Sequence, residues 1–321
     1  MVDVRAPEVS RSGHIQILKQ AVETVIRGKP EAVERALVTL LARGHLLIED
    51  VPGVGKTTLA YALARSFDCK FHRIQFTSDL LPTDLTGVSV YNQARGEFEF
   101  RQGPLFANVV LADEINRTTP KTQIALLEAM SEGRVSVENE TFALEQPFIV
   151  IATQNPIEHH GTFPLPESQL DRFLMRIQMG YPAPDDEKEI LRRGITYESA
   201  EKLVPVVTAR QVLDAQREVE SITMPEPLLE YLMAIVKETR SCEALDLGAS
   251  PRGAMALHRA AQALAFVRDR DYCIPDDVKE LVGPVLSHRI IVSSRYSSPL
   301  QQREESERIL EDLLGRVDVP V

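Results

Sequence analysis

The chain contains no tryptophan, seven tyrosines and three cysteines in 321 residues. Each scarcity excludes something. Few aromatic rings leave few platforms on which single-stranded bases could stack. Cys69, Cys242 and Cys273 are scattered among apolar neighbours without C-x-x-C spacing, which argues for buried, reduced thiols and against a zinc site or a disulfide framework. Positive charge is also short, with 36 Lys and Arg against 47 Asp and Glu and a net charge of −11. Nucleic-acid duplexes are bound by cations that displace counterions from phosphates, so no general affinity for nucleic acid is expected. No apolar run reaches the roughly 18 residues of a membrane span, and the start, "MVDVRAPEVSRSG", has no apolar core of the kind found in a leader. These absences lead us to expect a cytoplasmic chain with no membrane span.

What is present is ordinary globular material, 44% hydrophobic and 26% charged, long enough for two cores. Residues 14–28 space Ile15, Leu18, Val22 and Val25 or Ile26 as one face of a helix, with Gly28 as its stop. A second helical pattern through Val33, Ala36, Leu37, Leu40 and Leu41 leads into the apolar run "HLLIE". From there to Tyr181, the strand-like runs "KFHRIQFT", "NVVLADE", "FIVIAT" and "RIQMGY" alternate with helical patterns, which predicts a parallel sheet covered by helices. Two stretches, reversing around Gly96 and around Asn139, read as inserted β-hairpins. After "YPAPDDEKE" the patterns are helical. The expected division is therefore an α/β core over residues 1–190 and an all-α domain over 191–321, with the amphipathic "EESERILEDLLGRV" packed on the latter.

The motifs sit where strands end. "GVGKTT" follows an apolar strand and opens a helix, the context in which a phosphate-loop pattern has meaning, although Asp50 stands where the pattern has its first glycine. Pro52, Gly53, Val54, Gly55, Lys56, Thr57 and Thr58 are the expected cofactor-binding loop. Its glycines let backbone N–H groups approach phosphates, Lys56 reaches the β- and γ-oxygens, and Thr57 is a ligand for Mg2+. "NVVLADEINR" delivers Asp113 and Glu114 to a second strand end, where open parallel sheets bind ligands. Asp113 suits Mg2+, and Glu114 suits activation of the attacking water. A third strand end presents Thr153, Gln154 and Asn155, and Asn155 is placed to sense the γ-phosphate or that water.

Two arginines and two histidines complete the candidates. Arg172, in "PESQLDRF", is a finger that could stabilise charge at a neighbouring subunit's γ-phosphate, or else pairs with Asp171 or Glu167 in its own chain. Arg252 follows Ser250 and Pro251, an N-cap and a first helical residue, so a cation sits at the positive end of a helix dipole and suits a phosphate there. His159 and His160 are adjacent in a loop with no third ligand at metal-binding spacing, so solvated histidines are expected.

In order, "EDVPGVGKT", "DEINR", "TQNP", "LPESQLDRF" and "GASPRG" resemble the MoxR family of AAA+ ATPases, from about Lys29 to about Arg289. Aspartate before "VPG" is familiar in that family, while His159 and His160 stand where Gln-Glu is more usual. The resemblance implies an αβα core with a helical lid, inserted hairpins and a hexameric ring with ATP at subunit interfaces. It assigns Lys56 and Thr57 to the phosphate loop, Asp113 to magnesium, Glu114 to water activation, Asn155 to the first sensor, Arg172 to the finger and Arg252 to the second sensor. It leaves open whether Arg252 serves its own subunit or the next. It also implies chaperone-like remodelling of protein clients, including enzyme maturation and metal-cofactor insertion, beside a partner with a von Willebrand factor A domain. Two competing readings are a nucleic-acid translocating ring and a nucleotide-gated scaffold with little turnover. Glu138, Glu140 and Glu145 against Arg134 in the second hairpin weigh against the first, and Glu114 with Arg172 against the second.

Overall fold

Near-continuous apolar runs form strands only where both faces of a sheet are covered. In the computed structural model, which describes residues 12–138, 140–156, 162–194, 197–293 and 299–320, the central sheet has five strands, and its three inner ones are such runs. In chain order the strands are β1 (Leu46–Glu49), β2 (Phe71–Gln75), β3 (Gly87–Asn92), β4 (Glu97–Gln102), β5 (Val109–Asp113), β6 (Arg134–Val137), β7 (Glu140–Ala143), β8 (Ile149–Gln154), β9 (Met175–Ile177), β10 (Leu245–Leu247) and β11 (Ile291–Val292). The sheet runs β2-β5-β8-β1-β9 with every pair parallel. Alternate side chains divide between its faces. Leu46, Ile48, Leu111 and Ile151 join the core beneath α1 (Gly13–Glu23), α2 (Pro30–Leu41) and α3 (Lys56–Ser66). Leu47, Val110, Ala112 and Val150 join a second core. That core is built around the short helix α4 (Pro82–Thr86) and the longer α5 (Pro120–Glu132).

Both hairpins form. β3 pairs with β4 across a turn that includes Gly96 at φ +70°, and β6 pairs with β7. Asn139, at the second reversal, lies outside the described residues, as do His159 and His160. Phe100 of β4 stacks on Phe142 of β7 with ring centroids 4.3 Å apart, so the insertions support each other.

The first helix is shorter than its apolar pattern suggests. α1 stops at Glu23, Thr24 Oγ1 donates to Ala21 O at 2.6 Å, and the chain turns through buried Val25 and Ile26 to Gly28 at φ +69°. Three successive β-branched residues, stiff at χ1, weaken helix continuation at that point.

Beyond β9 come α6 to α13 in chain order except for α6, which precedes it: α6 (Glu167–Leu170), α7 (Pro184–Arg193), α8 (Tyr197–Glu201), α9 (Ala209–Glu220), α10 (Glu226–Ser241), α11 (Pro251–Val267), α12 (Pro275–Leu286) and α13 (Pro299–Leu314). α7 spans residue 190. The helical region also contains a β10-β11 ribbon that its sequence pattern does not announce. α13 buries Ile309, Leu310 and Leu313 and packs on α10 and α12. Its Arg303 also reaches Glu49 at the end of β1, where Arg176 of β9 arrives from the other side, each at 3.5 Å. Among the described residues, no helix is long and apolar enough to cross a membrane.

Candidate nucleotide site

The loop between β1 and α3 is shaped by backbone conformations that favour glycine. Gly53 and Gly55 have φ of +87° and +94°, and a Cβ built on Gly53 would meet nothing within 4 Å. Glycine is needed there for conformation, not because neighbours crowd it. The N–H groups of Lys56, Thr57 and Thr58 open α3, where a helix has no partners of its own for its first donors. Several unpaired donors at the start of a helix form a cradle for phosphate.

Asp50 is buried outside that cradle and braces it. Its Oδ1 accepts the Val51 N–H at 2.8 Å, and its Oδ2 accepts those of Met179 and Gly180 at 2.7 and 2.6 Å. The loop is thereby tied to the segment leaving β9. Lys56 Nζ folds back onto the Asp50 carbonyl at 2.6 Å. Burial pushes the Lys56 pKa below its ordinary value, against the opposing influence of Asp50, Asp113 and Glu114. β8 pairs in parallel with both β1 and β5, so the carboxyl ends of those strands, and with them the first and second sequence motifs, lie at one edge of the sheet.

Asp113 and Glu114 are held by β2 and β8. Thr153 Oγ1 donates to Asp113 Oδ1 at 2.6 Å and accepts the Glu114 N–H at 2.9 Å. Arg73 donates to Asp113 Oδ2 through Nη2 at 2.6 Å. Glu114 has φ +58°, and its Oε2 accepts from Gln75 Nε2 at 2.6 Å, with Arg117 Nε at 3.3 Å. Asn155 is buried just past β8, beside the Asp50 N–H to Gln154 O bond at 3.1 Å that joins β8 to the loop. The hydroxyl of Thr57 and the carboxylate of Asp113 are hard oxygen donors that suit Mg2+, which keeps several waters and takes its remaining ligands from substrate phosphates. These residues fit that ion.

Arg172 and Arg252 belong to a different place. Arg172 Nη1 donates to Leu127 O at 2.7 Å and Ser131 Oγ at 2.8 Å, on the last turns of α5. The helix starts at Pro120, close after Glu114, so at 1.5 Å per residue these acceptors lie about 10 to 16 Å along it. The intrachain pair that Arg172 could have made with Asp171 or Glu167 is not the one observed. Asp171 instead faces Arg289 at 2.8 Å and Arg252 at 3.6 Å. Ser250 caps α11 as expected, its Oγ accepting from Gly253 N at 3.1 Å.

Sequence reasoning missed Arg73, Gln75, Arg289 and the bracing role of Asp50. Arg73 and Gln75 carry a faint signal, two polar residues at i and i+2 on one face of the strand, at its carboxyl end. Arg289 gives none, because its partner Asp171 is far from it in sequence.

A parallel sheet with a phosphate loop after β1, an acidic pair after β5 and a lid defines a P-loop ATPase of the AAA class. Residues 45–175 match the family described as "ATPase family associated with various cellular activities (AAA)", and residues 237–313 match the AAA lid domain. The chain is 48% identical to the uncharacterized protein YeaC of Bacillus subtilis, over 95% of each. It is 45% identical to chaperone MoxR1 of Mycobacterium tuberculosis, over 85% of this chain and 74% of that one. A solved Cytophaga hutchinsonii protein described as an ATPase candidate superposes with a TM-score of 0.86 at 39% identity, covering 97% of this chain and 96% of that one. The chain belongs to the MoxR family of AAA ATPases.

Proposed function

We propose that the chain is a Mg2+-dependent ATP hydrolase that assembles as a homo-oligomeric ring, a hexamer, and couples ATP turnover to remodelling or maturation of protein partners. The carrying observation is the convergence of the Gly53–Thr58 cradle, Lys56, Asp113 and Glu114 at the carboxyl ends of parallel strands. In this reading Pro52 to Thr58 hold the triphosphate, Lys56 exchanges the Asp50 carbonyl for a phosphate oxygen, and Thr57 and Asp113 hold the metal. Mg2+, when bound, neutralises phosphate charge and orients the γ-phosphoryl group. Glu114 takes the proton of the attacking water once it leaves Gln75, and Asn155 senses the γ-phosphate. Arg172 and Arg252 serve a neighbour's site, since in their own chain Arg172 rests on the far end of α5 and Arg252 pairs with the adjacent Asp171. We divide the chain into an ATP-binding core to residue 190 and a lid from 191.

Protein clients are favoured over nucleic acid by charge. Glu138, Glu140 and Glu145 of the second hairpin would repel a phosphate backbone. The relative named as a chaperone supports the same choice, and we extend it to metal-cofactor insertion and to a von Willebrand factor A domain partner. The test is Glu114→Gln, which keeps side-chain size and removes the base. ATP affinity should stay within about twofold while turnover falls about a hundredfold or more. Immobilised in ATP, the variant should retain proteins and no nucleic acid. Turnover near the parental rate contradicts the role of Glu114, and salt-sensitive, submicromolar DNA binding contradicts the protein-client reading.

A further inference from the structure

We infer that Arg289 is the positioning residue that fastens the finger loop to the lid, so that Arg172 and Arg252 meet a neighbouring nucleotide as one unit. This rests on the proposal that Arg172 acts on a neighbour's site. Arg289 lies just beyond α12, with only 2% of its side chain exposed. Burial pushes its pKa down to about 10, against the pull of Asp171, so it is still a full cation at neutral pH. Desolvating a guanidinium is expensive unless its donors are used.

Here they are used on one short loop. Nε donates to Asp171 Oδ1 at 2.8 Å, Nη2 to the carbonyls of Asp171 at 3.3 Å and of Phe173, and Nη1 to the carbonyl of Leu174 at 3.1 Å. Nη1 also meets the Val285 carbonyl and His288 Nε2 at its own helix end. The peptide is therefore gripped on both sides of Arg172. Phe173, fully buried, anchors it further. The Arg172 side chain is outside this grip, held by acceptors at the C-terminal end of α5 that it can leave.

A fixed backbone with a releasable side chain is what an inserted finger requires. The remaining Asp171 oxygen meets Arg252, so the same carboxylate joins the lid helix α11 to the clamp. Lysine could not substitute, because it lacks the planar fork that reaches several acceptors at once.

The experiment is subunit mixing with Arg289→Gln. Alone, the variant should bind a fluorescent ATP analogue within about twofold of the parent, because its own phosphate loop is intact, and lose at least about tenfold in turnover. Mixed with Lys56→Ala, which supplies an intact finger and clamp, it should regain activity. A merely structural defect would lower ATP binding as well, and mixing would restore nothing. Arg172→Ala is mixed in parallel. If Arg172→Ala is rescued while Arg289→Gln keeps parental turnover, or is not rescued in assemblies that light scattering shows to be mixed, the inference is overturned and the finger assignment stands. If Arg172→Ala is not rescued, the reading beneath the inference is wrong and the inference falls with it. Asp171→Asn, which cuts the same clamp at its more exposed end, should repeat the Arg289→Gln pattern and decides the matter if the latter does not assemble.

Discussion

Asp50 accepts three backbone N–H groups with one carboxylate, so the phosphate loop is braced from a position where its usual pattern has glycine. Restoring that glycine should therefore harm the protein. Hydrogen bonds to charged groups are worth about 1.5–3 kcal/mol each, and buried donors left without partners cost more. Asp50→Gly should lower unfolding stability by about 3 kcal/mol or more and weaken ATP binding, as read by urea denaturation and calorimetry. A glycine variant that binds ATP as tightly as the parent, at unchanged stability, would remove the bracing role. The loop itself was legible because Gly53, Gly55, Lys56 and Thr57 are contiguous. The bonds from Met179 and Gly180 were not, since they join segments remote in sequence. Arg73 and Gln75 were obscured likewise, each facing its acidic partner only once β2 lies beside β5.

Among elements, the inner strands β1, β5 and β8 were legible because both faces of the sheet are buried there and their runs are apolar. The β10-β11 ribbon was not legible, being short and interrupted by Asp246. Where the loop before β1 meets α5 and β8, His45 makes a buried joint that has a pH consequence. Its Nδ1 accepts the Val150 N–H and its Nε2 donates to the Met130 carbonyl, both at 3.0 Å. That arrangement uses the neutral ring, and burial lowers the His45 pKa from 6.5 to about 4. Between those values the unfolded chain takes up a proton that the folded chain refuses. Stability is fully present above pH 6.5 and falls with pH down to about 4, this one group costing about 3 kcal/mol in total. His288, also pushed well below its ordinary value by burial and by Arg289, adds in the same direction. His45→Gln should flatten the loss measured by denaturation at pH 7.5 and 4.5. An equally steep loss in the variant would show that His45 is not its source.

At the scale of the molecule, the proposed catalytic site is divided between two places that one chain does not bring together. The phosphate loop, Asp113 and Glu114 share the ends of β1 and β5, while Arg172 rests on the far end of α5 and Arg252 pairs with its neighbour Asp171. The sequence motifs pointed to both groups of residues, but the separation between them is a property of the folded chain. The most direct measurement mixes two inactive variants. Lys56→Ala should lose ATP binding yet keep its arginines. Arg172→Ala should keep ATP binding yet fall in turnover by about 10³, the lower range for a fully engaged finger. In mixed assemblies, interfaces that combine the intact loop of one variant with the intact finger of the other should hydrolyse ATP, so activity returns and peaks at intermediate ratios. Mixed assemblies verified by light scattering that stay inactive at every ratio would contradict the shared site.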